Sequence, residues 1–145
     1  MREILFRGKR VDNGEWVEGN LFIPDKADTP TQICIGTNVI RITYDIIPET
    51  VGQYTGLTDK NGKRIFEGDV FHLDDEVVAV VIFQDGCFRL EEYGLRGAFT
   101  ESGFDECGGG WDVIDCSPID WYTIKDMEII GNIHDNPELL EVHNG

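Results

Sequence analysis

The residues of this chain that could do chemistry are four cysteines, three histidines, two serines and many carboxylates. Cys107 and Cys116 lie close in sequence, with Asp112 and Asp115 between them. Structural zinc uses paired Cys or His at short spacing, as in C-x-x-C, and no such pair exists. FDECGGGWDVID does not follow the alternating oxygen order of a calcium loop. His72 and His134 fall near the ends of strand-like segments, far apart in sequence. Neither Ser102 nor Ser117 stands in G-x-S-x-G, and neither has a histidine close by. Gly108-Gly109-Gly110 lacks the lysine and the following helix that a phosphate cradle requires. The expectation is a protein without catalytic residues, metal or cofactor, its cysteines being free thiols.

The cations are the second candidate chemistry. Lys60, Lys63 and Arg64 cluster, with Tyr54 and Phe66 near them, and Arg7, Lys9 and Arg10 form a smaller group. Basic loops beside aromatic residues are one way a β-domain can hold single-stranded nucleic acid. Against this stands the whole chain: 12 Lys+Arg face 28 Asp+Glu, a formal charge of −16. Nucleic-acid binding draws on cations that displace counterions from phosphate, and this chain repels phosphate overall. The plainer reading is that both groups solubilise turns. Tyr54, Lys60, Lys63 and Arg64 are kept as a candidate contact surface. The acidity itself admits a converse role, imitation of DNA on a basic host protein, which needs carboxylates spaced along one face.

Strands must position these residues. EILFRGKR and EWVEGNLFI flank Asn13-Gly14, which predicts a hairpin with a tight I′ turn. Trp16 and Phe22, an even number of positions apart, can share a face. PDKADTPTQ is a polar loop. ICIGTNVIRITYDII gives two strands about Gly36-Thr37-Asn38, the second alternating with Ile40, Ile42, Tyr44 and Ile46 on its apolar face. Pro48 ends it. RIFEGDVFHL, EVVAVVIFQ and CFRLEEY then read as a β-meander from Ile65 to about Tyr93. The nearly all-apolar second segment belongs at its centre, and Asp85-Gly86 makes a tight turn. Residues 94–120 read as an acidic, glycine-rich loop insertion with one short strand at WDVI. MEIIGNI closes the sheet, and Asn136-Pro137-Glu138 starts a short C-terminal helix. The count is about nine strands. The fold class expected is predominantly β: an antiparallel meander forming a distorted, partly open β-barrel-like single domain over residues 1–145, with that helix. At 145 residues and 41% hydrophobic content the chain can bury its own core. No apolar run approaches the roughly 18 residues of a membrane span. MREILFRGKR lacks the apolar core of a signal peptide, so a soluble, cytoplasmic protein without membrane contact is expected.

VGQYTGLTDKNGKRIFEGDV, Val51 to Val70, resembles the signature segment of the YopX family, small proteins of phages and prophages. REILFRGKRVDNGEWVEGNL resembles that family's opening hairpin, and IIGNIHDNPELLEV its closing strand and short helix. The three segments cover about half the chain and fall in family order. The resemblance implies a β-rich domain carried by a mobile element in the host cell. It brings no activity, substrate or catalytic residue with it. Read physically, the signature is corner chemistry: Asp59-Lys60-Asn61-Gly62 as a turn, then Glu67-Gly68-Asp69 as a second turn or bulge. The expected function is non-enzymatic, through contact with itself as a homo-oligomer and with a host or phage protein. A nucleic-acid-linked role is the alternative.

Overall fold

The computed structural model describes residues 3–36, 39–74, 77–95, 111–119 and 124–140. Within them the chain is β throughout, and its two fully bounded helical elements are 3₁₀ turns at Pro48–Thr50 and Pro137–Leu140. The chain divides into two compact units, Met1–Gly56 and Leu57–Gly145.

The first unit holds β1 (Phe6–Lys9), β2 (Trp16–Phe22), β3 (Gln32–Gly36), β4 (Arg41–Asp45) and the start of β5 (Gly52–Thr58), in the order β4-β3-β2-β1-β5. β1 and β2 pair antiparallel as expected, but not through a two-residue I′ turn. Lys9 pairs with Trp16, and the loop is closed by Arg10 N–H donating to Glu15 O at 2.9 Å. Only Gly14 takes positive φ, at 72°. Asn13 instead accepts the Glu15 N–H on Oδ1 at 3.0 Å, so its side chain caps the turn that its backbone does not bend. Trp16 is half-buried, whereas Phe22 is exposed. Among its described residues the buried apolar side chains are Ile33 and Ile46. They fit because β1 and β2 present glycine to them. A Cβ on Gly8 would lie 2.4 Å from Ile46 Cγ2, and one on Gly19 would lie 2.9 Å from Ile33 Cγ2.

The second unit continues β5 from Leu57 and adds β6 (Arg64–Phe66), next to β5 in the strand order. It then builds a sheet of β7 (Asp69–Asp74), β8 (Val77–Gln84), β9 (Cys87–Leu95), β10 (Trp111–Pro118) and β11 (Ile129–Asn132), ordered β10-β9-β8-β7-β11. β8 is central, as its apolar run predicted. Its side chains alternate between faces. Ala79 and Val81 join Ile65, Phe71, Leu90 and Ile124 on one side; Val78 and Val80 join Val70 on the other, under Ile130, Ile133 and Leu139. A sheet covered on both faces has no solvent face for polar residues, which is why VVAVVI shows no polar alternation. The β8–β9 turn is the I′ type: Asp85 and Gly86 both take positive φ, 54° and 82°.

The strand expected at WDVI is longer than those four residues and joins the meander. β10 runs to Pro118 against β9, with a bulge between Val113 and Asp115. The remainder of the acidic segment, residues 96–110, lies outside the described residues. Two corrections concern architecture. Neither sheet closes into a barrel, since each ends on strands that do not meet, β4 and β6 in one, β10 and β11 in the other. The C-terminal helix is a single 3₁₀ turn, four residues being too few for an α-helical ladder. Among the described residues there are eleven strands against the expected nine or so, and the turn at Gly68 divides RIFEGDVFHL into β6 and β7.

Candidate functional site

The signature segment supplies the β5–β6 hairpin and the β6–β7 turn. The first loop has three residues, Lys60 to Gly62, closed by Asp59 N–H donating to Lys63 O at 2.9 Å. Gly62 takes the left-handed position that such loops need, φ 80°. Asp59 lies under the loop, 5% exposed. Its Oδ1 accepts the N–H groups of Asn61 and Lys63, each at 2.9 Å, and its Oδ2 accepts that of Ile129 at 3.1 Å. Burial pushes this carboxyl up, but the three backbone donors, with Ile129 foremost, outweigh it and hold the group below its usual range. Asp59 thus joins the signature to β11, 70 residues away. Lys60 N–H donating to Met127 O at 2.9 Å strengthens the same junction.

The second turn repeats the device. Phe66 N–H donates to Asp69 Oδ2 at 2.8 Å, and Asp69 is 1% exposed. Gly68, φ 91°, donates to Val81 O at 2.8 Å and accepts Ile133 N–H at 2.9 Å. The closing segment answers in kind. Asn132 Oδ1 accepts from His134 N at 3.0 Å and Asp135 N at 2.9 Å, while its Nδ2 donates to Asp135 at 3.1 Å. Asn136 N–H donates to Asn132 O at 2.8 Å. The residues of greatest chemical interest in both family segments are therefore engaged in holding turns.

The candidate contact residues divide between the units. Tyr54 is a half-buried residue of β5 in the first unit, its N–H donating to Leu5 O at 2.8 Å. Lys60, Lys63 and Arg64 are exposed around one hairpin of the second unit. There Lys60 Nζ stands 3.7 Å from Glu128 Oε2, and Asn61 Nδ2 donates to Glu128 Oε1 at 3.2 Å. A carboxylate beside the loop reduces the positive field it can offer to phosphate. The other basic group is spread over aromatic rings: Arg7 lies over Trp16 at 4.6 Å, Lys9 over the same ring at 5.6 Å, and Arg10 over Tyr44 at 4.5 Å. Arg10 also grips Asp12 through two bonds, Nε–Oδ1 at 2.9 Å and Nη2–Oδ2 at 2.5 Å.

Sequence reasoning missed an open groove of about 360 Å³ in the first unit, lined by Arg10, Val11, Asp12, Thr43, Tyr44 and Asp45. It runs along the outer side of β4. The alternation in NVIRITYDII gave the strand but not its position at a sheet edge. Cys34, Cys87 and Cys116 are free thiols, and Cys107 lies outside the described residues. Among the described residues no group of three or more His, Cys, Asp or Glu is placed to hold a metal ion. No described helix is long and apolar enough to cross a membrane. In the second unit Tyr93 donates to Glu91, and burial followed by that bond pushes its phenol well above the ordinary value.

A family model described as YopX protein matches residues 5–141. A solved structure, protein EF1440 from Enterococcus faecalis, aligns with 97% of this chain and 100% of that one, at 23% identity and a TM-score of 0.46. No curated protein matches the sequence.

Proposed function

The chain belongs to the YopX family, matched over nearly its whole length, and we propose that it is a non-enzymatic accessory protein of a phage or prophage that acts in the host cytoplasm through protein contacts, the first of them with itself. One observation carries this reading. The first unit leaves Phe22, Ile23, Ile35, Ile40 and Ile42 between 40% and 74% exposed. Ile35 of β3 and Ile42 of β4 stand opposite each other in the ladder, and exposed apolar residues grouped in this way mark a contact site. Light scattering of the purified chain is expected to give at least a dimer at micromolar concentration. A monomer up to about 100 µM would remove the self-association part of the reading.

The basic hairpin is expected not to act as a nucleic-acid grip. A single-stranded oligonucleotide should show no gel retardation by the chain even at about 50 mM salt, where phosphate contacts are strongest. Retardation that K60A/K63A/R64A abolishes would reverse this and make that loop the site.

A further inference from the structure

One side of the β3–β4 hairpin changes character along its length. A Cβ on Gly8 would lie 2.4 Å from Ile46 Cγ2 and 3.4 Å from Ile33 Cδ1, so those two side chains point to the same side of the unit. Alternation carries that side on to Ile35 in β3 and to Tyr44 and Ile42 in β4. The ladder sets Ile33 opposite Tyr44 and Ile35 opposite Ile42. At the Asp45 end this chain covers itself: Arg10 bridges to Ile46, and Val11 N–H donates to Asp45 O at 2.9 Å. Ile33 and Ile46 are accordingly 0% and 1% exposed. Toward the hairpin turn Ile35 and Ile42 are 40% and 54% exposed, and Ile40 just before β4 is 74% exposed. The core side runs out of cover and stays apolar.

The charge pattern says what can lie on it. From Thr31 to Tyr44 the chain has no Asp or Glu, although it holds 28 of them. The charged residues of β4, Arg41 and Asp45, alternate to the opposite side, where Asp45 Oδ1 accepts from Gln32 Nε2 at 2.9 Å. β3, QICIG, has no charge at all. The Ile35–Ile42 side of both strands is therefore uncharged. Copies that each carry −16 repel, so they meet best where neither presents a carboxylate. An uncharged apolar face is also complementary to itself, which an isologous contact requires.

We propose, on the reading that this protein self-associates, that the Ile35–Ile42 face packs against the same face of a second copy about a two-fold axis. The contact is side chain on side chain and uses no strand edge, so the bond from Val11 to Asp45 stays in place. The axis passes beside Ile42 and sets the two Ile42 side chains against each other. Such a contact closes at two copies. The face is small beside the roughly 20–30 residues a side of a standard interface, so the dimer is weak and single changes on the face can break it.

The test is sedimentation of the full chain over a concentration series. Raising salt from about 50 mM to about 500 mM screens the repulsion and should tighten the dimer several-fold. I42E and I42K each set like charges against one another across the axis, and each should weaken the dimer at least about tenfold. An equimolar mixture of the two variants pairs opposite signs and should associate better than either alone. Ile42 is exposed, so both variants should fold, and melting checks this. If either does not, I35T replaces them and should weaken the dimer several-fold. Phe22 pairs with Gln32, on the other side of the sheet, and F22S should leave association unchanged. A wild-type dimer that ignores I42E and I42K, that is lost in F22S instead, that loosens with salt, or that the mixture does not recover overturns this face and leaves self-association standing. A wild-type monomer overturns both.

Discussion

Asp59→Ala should be among the most destabilising single changes in the second unit, lowering its stability by about 3 kcal/mol. Three backbone N–H groups converge on this carboxylate, and two of them shape the hairpin while the third belongs to β11. Truncation leaves all three without their acceptor. The Ile129 donor is the most costly, since β11 is half-buried and water reaches it poorly. For a chain of this length that loss corresponds to a fall of roughly 10 °C in the melting transition. Asp59→Asn keeps the shape and one good acceptor but not the charge, and should fall about midway. The pH dependence follows from the lowered pKa. A carboxylate held below its unfolded value stabilises the fold fully above that value, about pH 4, and the contribution is lost as pH falls through the native one. The gap between wild type and Asp59→Asn should therefore be constant at neutral pH and close in acid. Thermal melts at pH 7, 4 and 3 check this. A Asp59→Ala variant melting within about 2 °C of wild type would mean that water replaces the carboxylate.

This result bears on what a family signature marks. Within the second unit Asp59 ties its turn to Ile129 and Gly68 O accepts from Ile133 N–H, while Asp69 and Asn132 hold their own turns. None of those bonds is spent on a ligand. Sequence reasoning reached the turn at Asp59–Gly62 because Asx side chains and left-handed glycine act locally. It could not reach the bond to Ile129, which depends on β11 folding back beside β7. The same distinction runs through the chain. Asp85-Gly86 formed the I′ turn that its dipeptide predicts. Asn13-Gly14 did not, because the bond from Arg10 N–H to Glu15 O leaves four residues, Val11 to Gly14, to the loop rather than two. The central place of β8 was legible from composition, since only a doubly covered strand can be apolar throughout. The edge position of β4 was not, because alternation is the same for an edge strand and an inner one.

The first unit hides its core rule in two glycines that read from sequence as mere interruptions of strands. Gly19→Ala should destabilise that unit by about 3 kcal/mol, at the upper end for overpacking. The added Cβ would stand 2.5 Å from the carbonyl oxygen of Cys34 and 3.2 Å from its carbon. Backbone cannot rotate away, so β2 and β3 must separate, and Asn20 and Leu21 pair with that part of β3. Gly8→Ala meets a different obstacle, the Cγ2 methyl of Ile46 at 2.4 Å. That methyl can be removed. Gly8→Ala and Ile46→Ala should each be costly alone, yet their combination should cost at least 1 kcal/mol less than their sum, because the second change vacates the volume the first one needs. No side-chain truncation should rescue Gly19→Ala in the same way; Ile33→Ala relieves the contact at 2.9 Å and leaves the carbonyl in place. Chemical denaturation of the four single variants and two doubles gives both couplings. A strong favourable coupling between Gly19→Ala and Ile33→Ala would show that the methyl, not the backbone, sets the spacing of β2 and β3.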